Sequence, residues 1–213
     1  VLHWMEHDLF STNTTTTVLD DDVVILVDPD MVLLRPITHD FSDEPADQWA
    51  ESKVPAWTKV SRGRPIAQQD GYLNNEWMSL NFSYIFPNEM FERPPFAQGP
   101  LVWNTGPPYL ATVADMYEIA KLWTQLAPRV LYVYPKLFAE MYSFILATVQ
   151  LQMPFSLFRS MVVSTTTTKS REGWPLVDAL SKNVCESSKQ AVTANMDTAH
   201  LPIALHYCGR YSL

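Results

Sequence analysis

Cysteine is scarce in this sequence of 213 residues, and long apolar runs are absent. The two cysteines, Cys185 and Cys208, are too few for a disulfide scaffold or a cysteine-ligated zinc site, although they suffice for one disulfide bond. The apolar run 23–27 is among the longest and has the length of a strand, whereas a membrane-spanning helix needs about 20 residues. We therefore predict no membrane span in this chain.

Positively charged residues are also few. Lys and Arg number 15 against 23 Asp and Glu, which gives a formal net charge of −8, and the sequence has no Lys/Arg cluster. Proteins that track a phosphate backbone need such a cluster, so we predict no nucleic-acid partner. Glu6 and Asp8 stand where a signal peptide has basic residues, and the chain starts at Val1 without a methionine. We interpret the sequence as a fragment.

The abundance of apolar and aromatic residues predicts a single folded domain over residues 1–213. Apolar residues make up 47% of the chain and aromatic residues 12%, which is enough for a packed core. The patterns predict strands at 23–27 and 101–103, a tight turn at 104–108, helices at 113–126 and 135–149, and a last strand at 203–208. This alternation favours an α/β sandwich whose central sheet is mixed and mostly parallel.

Two aspartates, Asp28 and Asp30, directly follow the run 23–27, whose β-branched residues predict a strand buried on both faces. Open α/β sheets place their ligands at the carboxyl ends of strands. Two carboxylates at such a place suit Mg²⁺ or Mn²⁺, which keep coordination positions open for substrate phosphates. The structural alternative is a pair of carboxylates that cap a turn.

Two enzyme chemistries use this layout. In a haloacid-dehalogenase-type phosphatase, Asp28 is the nucleophile and Asp30 the acid. That class also needs a later pair of aspartates, and no adjacent pair follows Asp30. In a nucleotide-sugar glycosyltransferase, both side chains hold the metal ion that bridges the diphosphate and stabilises the leaving nucleotide.

Three further residues are candidates for the same site, and each has an ordinary structural alternative. His206 lies in the last predicted strand and suits Mn²⁺ as a third ligand, although a lone histidine is more often a core residue. Glu140 interrupts the most apolar helix, where it either belongs to a site or pairs with Lys136 one turn earlier. Gly106 marks either a tight turn or a close approach of the backbone to a ligand.

Several short blocks occur in order along the chain: Asp28-Pro29-Asp30-Met31, Gly106-Pro107-Pro108-Tyr109, Glu140-Met141-Tyr142, Gly173-Trp174-Pro175 and Leu205-His206-Tyr207-Cys208. In this order they resemble the peptidyl serine α-galactosyltransferases and hydroxyproline O-arabinosyltransferases of plants and algae. The first block is similar to the metal motif of that family, and the last to its terminal His-Tyr segment. The block with Trp174 matches the galactosyltransferase branch, which is the closer resemblance.

The resemblance implies a GT-A fold and a metal-dependent transfer, with retention, from a UDP-sugar to a serine or hydroxyproline hydroxyl of a protein. Galactose is favoured over arabinose, and the cofactor is Mn²⁺ or Mg²⁺. The implied location is the lumen of the Golgi or endoplasmic reticulum, with a membrane anchor in the full-length protein. A serine- or hydroxyproline-rich protein is the implied acceptor.

Roles for individual residues follow from the same resemblance. Asp28, Asp30 and His206 become the metal ligands. Substrate-binding roles fall to Asp28, Gly106, Pro107 and Trp174. Glu140 becomes the catalytic carboxylate near the acceptor. In a retaining transfer the departing phosphate helps to take the acceptor proton, so Glu140 is expected to orient a substrate.

One departure from the family is expected to matter. Its members begin with strands that bind the nucleoside, and these would precede Trp4. We therefore expect a partial domain whose sheet has an unpaired edge. The remaining alternative is a catalytically silent carbohydrate- or partner-binding domain on the same fold. Three metal donors argue against it, because a silent site has no physical need of them.

Overall fold

The computed structural model describes residues 1–9, 19–44, 57–70, 73–87, 91–164, 172–179 and 201–206. Its helices are α1 (Leu2–Trp4), α2 (Phe82–Ile85), α3 (Gly99–Trp103), α4 (Val113–Val133), α5 (Ala139–Gln150) and α6 (Trp174–Ala179). Its strands are β1 (Val23–Leu26), β2 (Met31–Leu33), β3 (Ile66–Gln69), β4 (Thr105–Thr112), β5 (Ser156–Phe158), β6 (Val162–Val163) and β7 (Ala204–His206). A π-helical turn at Met5–Leu9 and a 3₁₀ turn at Glu76–Ser79 accompany them. This content confirms the α/β class.

The described strands form two sheets instead of one central sheet. A four-stranded sheet has the order β1-β4-β3-β5, and a three-stranded sheet has the order β2-β7-β6. Both are mixed, as predicted, but parallel pairing is confined to β3 with β5 and β6 with β7. The prediction of a mostly parallel sheet is wrong for these strands, because β4 runs against both of its neighbours and β2 runs against β7.

The chain passes directly from one sheet to the other at two described places. The first passage leads from β1 to β2 through residues 27–30, and the second from β5 to β6 through residues 159–161. The second is tied to the neighbouring strand, because the Ser160 and Met161 carbonyls accept hydrogen bonds from the backbone N–H groups of Ile203 and Ala204. The two sheets are therefore connected through residues 27–30 and residues 159–161.

Strand β1 is less buried than its sequence predicts. Its register with β4 pairs Val23 with Thr112 and Leu26 with Tyr109, and none of its residues is fully buried. Ile25 is 36% exposed, because β1 is the last strand on its side of the four-stranded sheet as described. The prediction of a strand buried on both faces is therefore wrong.

Two predictions near residue 104 are also wrong. The segment 101–103 belongs to α3, and the predicted turn at 104–108 opens the fully buried strand β4. The register with β3 pairs Tyr109 with Ala67 and Gly106 with Gln68, so Pro107 and Pro108 are two extra residues on β4. Prolines lack the N–H group that a sheet ladder needs, and they form a bulge inside the strand.

Helix α4 begins where the sequence predicts and ends later. The Thr112 hydroxyl accepts a hydrogen bond of 3.2 Å from the Asp115 backbone N–H, which caps the first turn. The helix continues through the exposed Pro128 to Val133, so the predicted end before Pro128 is wrong. Leu126 and Val130 are fully buried on either side of the proline, and this packing outweighs the backbone hydrogen bond that proline removes.

Helix α5 begins at Ala139, four residues after the predicted start at Pro135. Nine of its twelve residues are buried, as its apolar sequence predicts. It packs along α4 and shares a core with the four-stranded sheet through Phe144. Among the described residues, no helix is both long enough and apolar enough to cross a membrane. Cys185 and Cys208 lie outside the described residues.

Candidate metal centre

Strand pairing brings the candidate ligands together. Strand β1 ends at Leu26, and the turn that follows is closed by a hydrogen bond of 3.1 Å from the Met31 N–H to the Asp28 carbonyl. Met31 then opens β2 and pairs with His206 at the end of β7. Because Asp30 precedes Met31 in the chain, this antiparallel register sets its carboxylate beside the His206 imidazole.

The three side chains form a compact group. His206 Nε2 lies 3.1 Å from Asp30 Oδ1 and 3.5 Å from Asp28 Oδ2. One ligand atom from each residue lies within 4.8 Å of the others, so a single cation could be held among them. The imidazole is 9% exposed, whereas the Asp28 and Asp30 side chains are 44% and 49% exposed. Two oxygen donors and one nitrogen donor are ligand types that Mn²⁺ or Mg²⁺ can accept. The solvent-exposed side of the three-residue group leaves room for further ligands.

The electrostatics of the group favour a bound cation. Partial burial raises the pKa of Asp28, the neighbouring Asp30 carboxylate raises it further, and the His206 imidazole acts in the opposite direction. Two carboxylates that repel each other at a partly buried place are stabilised by positive charge. The donor set is therefore suited to a divalent metal ion, whose identity the geometry leaves open.

Glu140 of α5 lies close enough to Asp28 for the Asp28 charge to affect its pKa. It lies in the first turn of the helix, and its side chain is exposed. The protein atoms around it reduce its hydration and raise its pKa, and the negative charge of Asp28 adds to this effect. Lys136 pairs instead with Glu76, at 3.8 Å. No hydrogen bond or ion pair holds the Glu140 carboxylate among the residues that the structure describes, so it can contact a ligand.

A narrow cleft adjoins the metal ligands. It is lined by Gln68, Gln69, Asp70, Gly106, Pro107, Val162, Ser164, Glu172 and His206. The cleft thus places Gly106 and Pro107, two of the predicted substrate-binding residues, next to a predicted metal ligand. Gly106 is required there, because a Cβ atom would lie 2.9 Å from Asp70 Oδ2. Asp70 is itself buried and accepts a hydrogen bond from the Leu73 backbone N–H.

Trp174 contacts Glu172, a residue that lines the cleft. Its indole N–H donates a hydrogen bond of 3.1 Å to Glu172 Oε2, and the Glu172 carboxylate also accepts bonds from the N–H and the hydroxyl of Ser164 at 2.7 and 2.6 Å. Glu172 and Ser164 line the cleft, whereas Trp174 is not among its described lining residues. The structure therefore relates Trp174 to the cleft through Glu172.

The sequence analysis missed three buried polar residues of the cleft: Gln68, Asp70 and Glu172. Gln68 and Asp70 stand at the end of β3, in a region without clear periodicity. The run Gln68-Gln69-Asp70 after Ile66 was a usable signal, because polar residues at a strand end often face a ligand. Glu172 gave no comparable signal.

Comparisons with protein-family models, with curated proteins and with solved structures found no match to this chain. The structure establishes that the chain is an α/β protein in which a group of three residues could hold a metal ion.

Proposed function

We propose that this chain is a glycosyltransferase domain of the GT-A type, which uses a divalent cation to move a sugar from a UDP-sugar to a hydroxyl of a protein. One observation carries the proposal: Asp28, Asp30 and His206 meet where the chain passes between two sheets, with ligand atoms within 4.8 Å of one another. Each residue comes from a block that resembles the serine α-galactosyltransferases. The resemblance supports galactose, a hexose, as the sugar, with the pentose arabinose as the other candidate.

The proposal assigns a task to each residue of the site. Asp28, Asp30 and His206 hold Mn²⁺ or Mg²⁺, and the bound cation offsets the charge of the leaving UDP. The backbone at Gly106 and Pro107 lines the path of the donor. Trp174 supports the donor side through Glu172.

Glu140 is the proposed catalytic carboxylate. Because its pKa is raised and no described residue binds it, it can accept or donate a hydrogen bond to a sugar or acceptor hydroxyl. Its proposed role is to orient that hydroxyl beside the donor, since in a retaining transfer the departing phosphate takes the proton. The proposed acceptor is a serine- or hydroxyproline-rich protein in the lumen of the Golgi or endoplasmic reticulum, and the full-length protein is proposed to be anchored in the membrane.

Sugar transfer tests the proposal directly. The protein is incubated with UDP-galactose or UDP-arabinose, Mn²⁺ and a serine- or hydroxyproline-containing peptide. Mass spectrometry should show a peptide that gains one hexose or pentose, and chelation of the metal should abolish the gain. Absence of transfer, together with Mn²⁺-dependent binding of a free sugar, would indicate a silent binding domain instead.

A second measurement separates transfer from phosphatase chemistry. In the proposed enzyme Asp28 is a metal ligand, so beryllium fluoride should not modify it and small phosphoesters should release no phosphate. Release of phosphate that is lost in Asp28→Asn, without any sugar transfer, would contradict the proposal and support the haloacid-dehalogenase-type alternative.

A further inference from the structure

The candidate metal centre draws its ligands from both sheets. Asp28 follows β1 of the four-stranded sheet, whereas Asp30 and His206 belong to the ends of β2 and β7 in the three-stranded sheet. Asp30 and His206 are therefore fixed to each other by one strand pairing. The position of Asp28 relative to His206 depends on two features: the turn closed by the hydrogen bond from Met31 to Asp28, and the way in which the two sheets are held together.

A buried side chain makes a hydrogen bond across this junction. Gln68 in β3 is 4% exposed, and its Oε1 atom accepts a hydrogen bond of 2.9 Å from the backbone N–H of Val162. Val162 opens β6, which pairs in parallel with β7 and sets Val162 beside Ala204, two residues before His206. The Gln68 side chain thus takes the place of a ladder hydrogen bond between strands of different sheets.

The same side chain is also fixed at its other end. Gln68 Nε2 donates a hydrogen bond of 2.8 Å to the Gln69 carbonyl, which determines which way the amide points. On the other side of β3, Gly106 pairs with Gln68 in the register of β4. Strand β4 in turn pairs with β1, the strand that leads to Asp28. A continuous set of strand pairings therefore joins Gln68 to Asp28 on one side and to His206 on the other.

The neighbouring residue supports the same junction. Gln69 Oε1 accepts a hydrogen bond of 3.2 Å from Nε of Arg159, which lies between β5 and β6. Both glutamine side chains thus bind the segment that passes from the four-stranded to the three-stranded sheet. Gln68 is the more buried of the two, and its side chain hydrogen-bonds directly to Val162, which lines the cleft together with His206.

We propose that Gln68 is a positioning residue for the metal centre, because its amide bridges the two sheets and so helps to set the distance between Asp28 and His206. The inference rests on the proposed metal site and adds a residue that acts on the metal only through Asp28 and His206. Residues that hydrogen-bond to a metal ligand change metal affinity by about 10- to 100-fold when they are replaced, and Gln68, which acts from further away, is expected at the lower end of that range.

Calorimetry with Mn²⁺ alone tests the inference. Gln68→Met keeps the length of the side chain and removes both hydrogen-bonding groups, and it should weaken Mn²⁺ binding by about tenfold or more. Gln125→Met makes the same chemical change on the exposed surface of α4 and should leave the affinity unchanged. If Gln68→Met does not fold, Gln68→Asn replaces it, since an amide shorter by one methylene no longer reaches Val162.

A double-mutant cycle separates positioning from a general loss of stability. In an Asp28→Asn background, Gln68→Met should have little further effect on Mn²⁺ affinity, because the ligand that it displaces is already removed. In an Asp30→Asn background the effect should persist, because Asp28 and His206 still lie on different sheets. Reduced thermal stability with an Mn²⁺ affinity equal to that of the parent protein would overturn the inference.

A metal-free crystal structure of Gln68→Met keeps the test independent of the proposed function. If the parent protein does not bind Mn²⁺, the proposed function fails, but the distance between Asp28 Oδ2 and His206 Nε2 can still be measured. It should depart from 3.5 Å by more than about 0.5 Å, the tolerance within which a site must be held. An unchanged distance in the variant would contradict the positioning role of Gln68.

Discussion

Among single residues, the three candidate ligands differ in how much water surrounds them. The His206 imidazole is buried, whereas the carboxylates of Asp28 and Asp30 are about half exposed. A site of this form holds a cation from its protein side and leaves the opposite side open to a substrate phosphate. Asp30 contributes a charged donor and His206 a neutral one. Removal of either side chain should therefore weaken the binding of the same ion, but to a different degree.

The first prediction concerns these two ligands. Asp30→Ala and His206→Ala should each reduce Mn²⁺ affinity and sugar transfer by at least about 100-fold, because fewer donors hold the ion that stabilises the leaving group. The double variant should lose little more than either single variant, as expected for residues that act through one ion. Transfer rates measured against Mn²⁺ concentration check this. Additive losses with an unchanged metal dependence would show that His206 is a core residue.

The second prediction concerns Glu140 and pH. The folded protein raises the pKa of this carboxyl, so folding favours its protonated form, and stability from this residue is lost as the pH rises through that pKa. Glu140→Gln should therefore raise the melting temperature of the metal-free protein at pH 7. The gain should be small, within about 0.5 kcal/mol, because the side chain is exposed. It should vanish near pH 4, where the unfolded chain is also largely protonated.

Thermal unfolding at the two pH values, with a chelator present, measures the effect. Glu118→Gln is the matched control, since Glu118 is also an exposed carboxylate on a helix but pairs with Lys121 at 3.2 Å. This variant should show no gain at pH 7. A lower melting temperature for Glu140→Gln at pH 7 would mean that the charged carboxylate has a stabilising partner.

Among the secondary-structure elements, β4 carries two residues of the cleft wall, Gly106 and Pro107. It is buried along its whole length, and its bulge at Pro107 and Pro108 separates a regular antiparallel half from the half that carries Gly106. A bulge bends a strand and redirects the residues beside it. Gly106 thereby approaches the buried Asp70 so closely that no side chain fits between them.

The third prediction tests this close approach. Gly106→Ala should destabilise the protein by about 1–3 kcal/mol, because its Cβ would meet Asp70 Oδ2 at 2.9 Å and the buried strand cannot move away freely. It should also reduce UDP binding, since the cleft wall shifts. Gly99→Ala is the control and should cost less, because its Cβ would meet mainly the flexible end of Met78, at 3.0 Å, with Pro94 Cγ further away at 3.3 Å. Urea unfolding compares the two, and equal stabilities would show that the cleft adapts easily.

For the whole molecule, the site depends on a core that joins helices to sheet. Phe144 of α5 is fully buried and lies 4.2 Å from the Tyr109 ring of β4, 5.1 Å from Trp123 of α4 and 6.0 Å from Phe155, all measured between ring centroids. It therefore couples two helices to the four-stranded sheet. Removal of this ring leaves a cavity where three elements meet.

The fourth prediction follows from that position. Phe144→Ala should lower the free energy of unfolding by about 3–5 kcal/mol, the range typical of a buried aromatic ring. Leu131→Ala, at a residue that is 54% exposed in α4, should change it by no more than about 0.5 kcal/mol. Urea unfolding monitored by circular dichroism distinguishes them. A loss below about 1 kcal/mol for Phe144→Ala would mean that the surrounding rings close the cavity.

Local patterns in the sequence were sufficient for the class of fold and for part of the site. The β-branched run before Asp28 and the apolar spacing after Val113 reflect the side-chain periods of strand and helix, which depend on neighbouring residues only. Asp28 and Asp30 were recognisable as candidate ligands because they follow such a run directly. His206 and Glu140 were also candidates from their positions, each with a structural alternative, but only the resemblance assigned them to one site with the aspartates, since nothing local connects residues so far apart in the chain.

Only the tertiary structure decided how these parts meet. Helix α4 passes through Pro128 because packing on α5 outweighs a local preference, and the segment at Pro107 becomes a strand bulge because β3 and β1 pair on either side of it. The bridge from Gln68 to Val162 spans 94 positions of the chain. Pairings of this kind depend on the free energy of the whole fold, so a window of neighbouring residues contains no record of them.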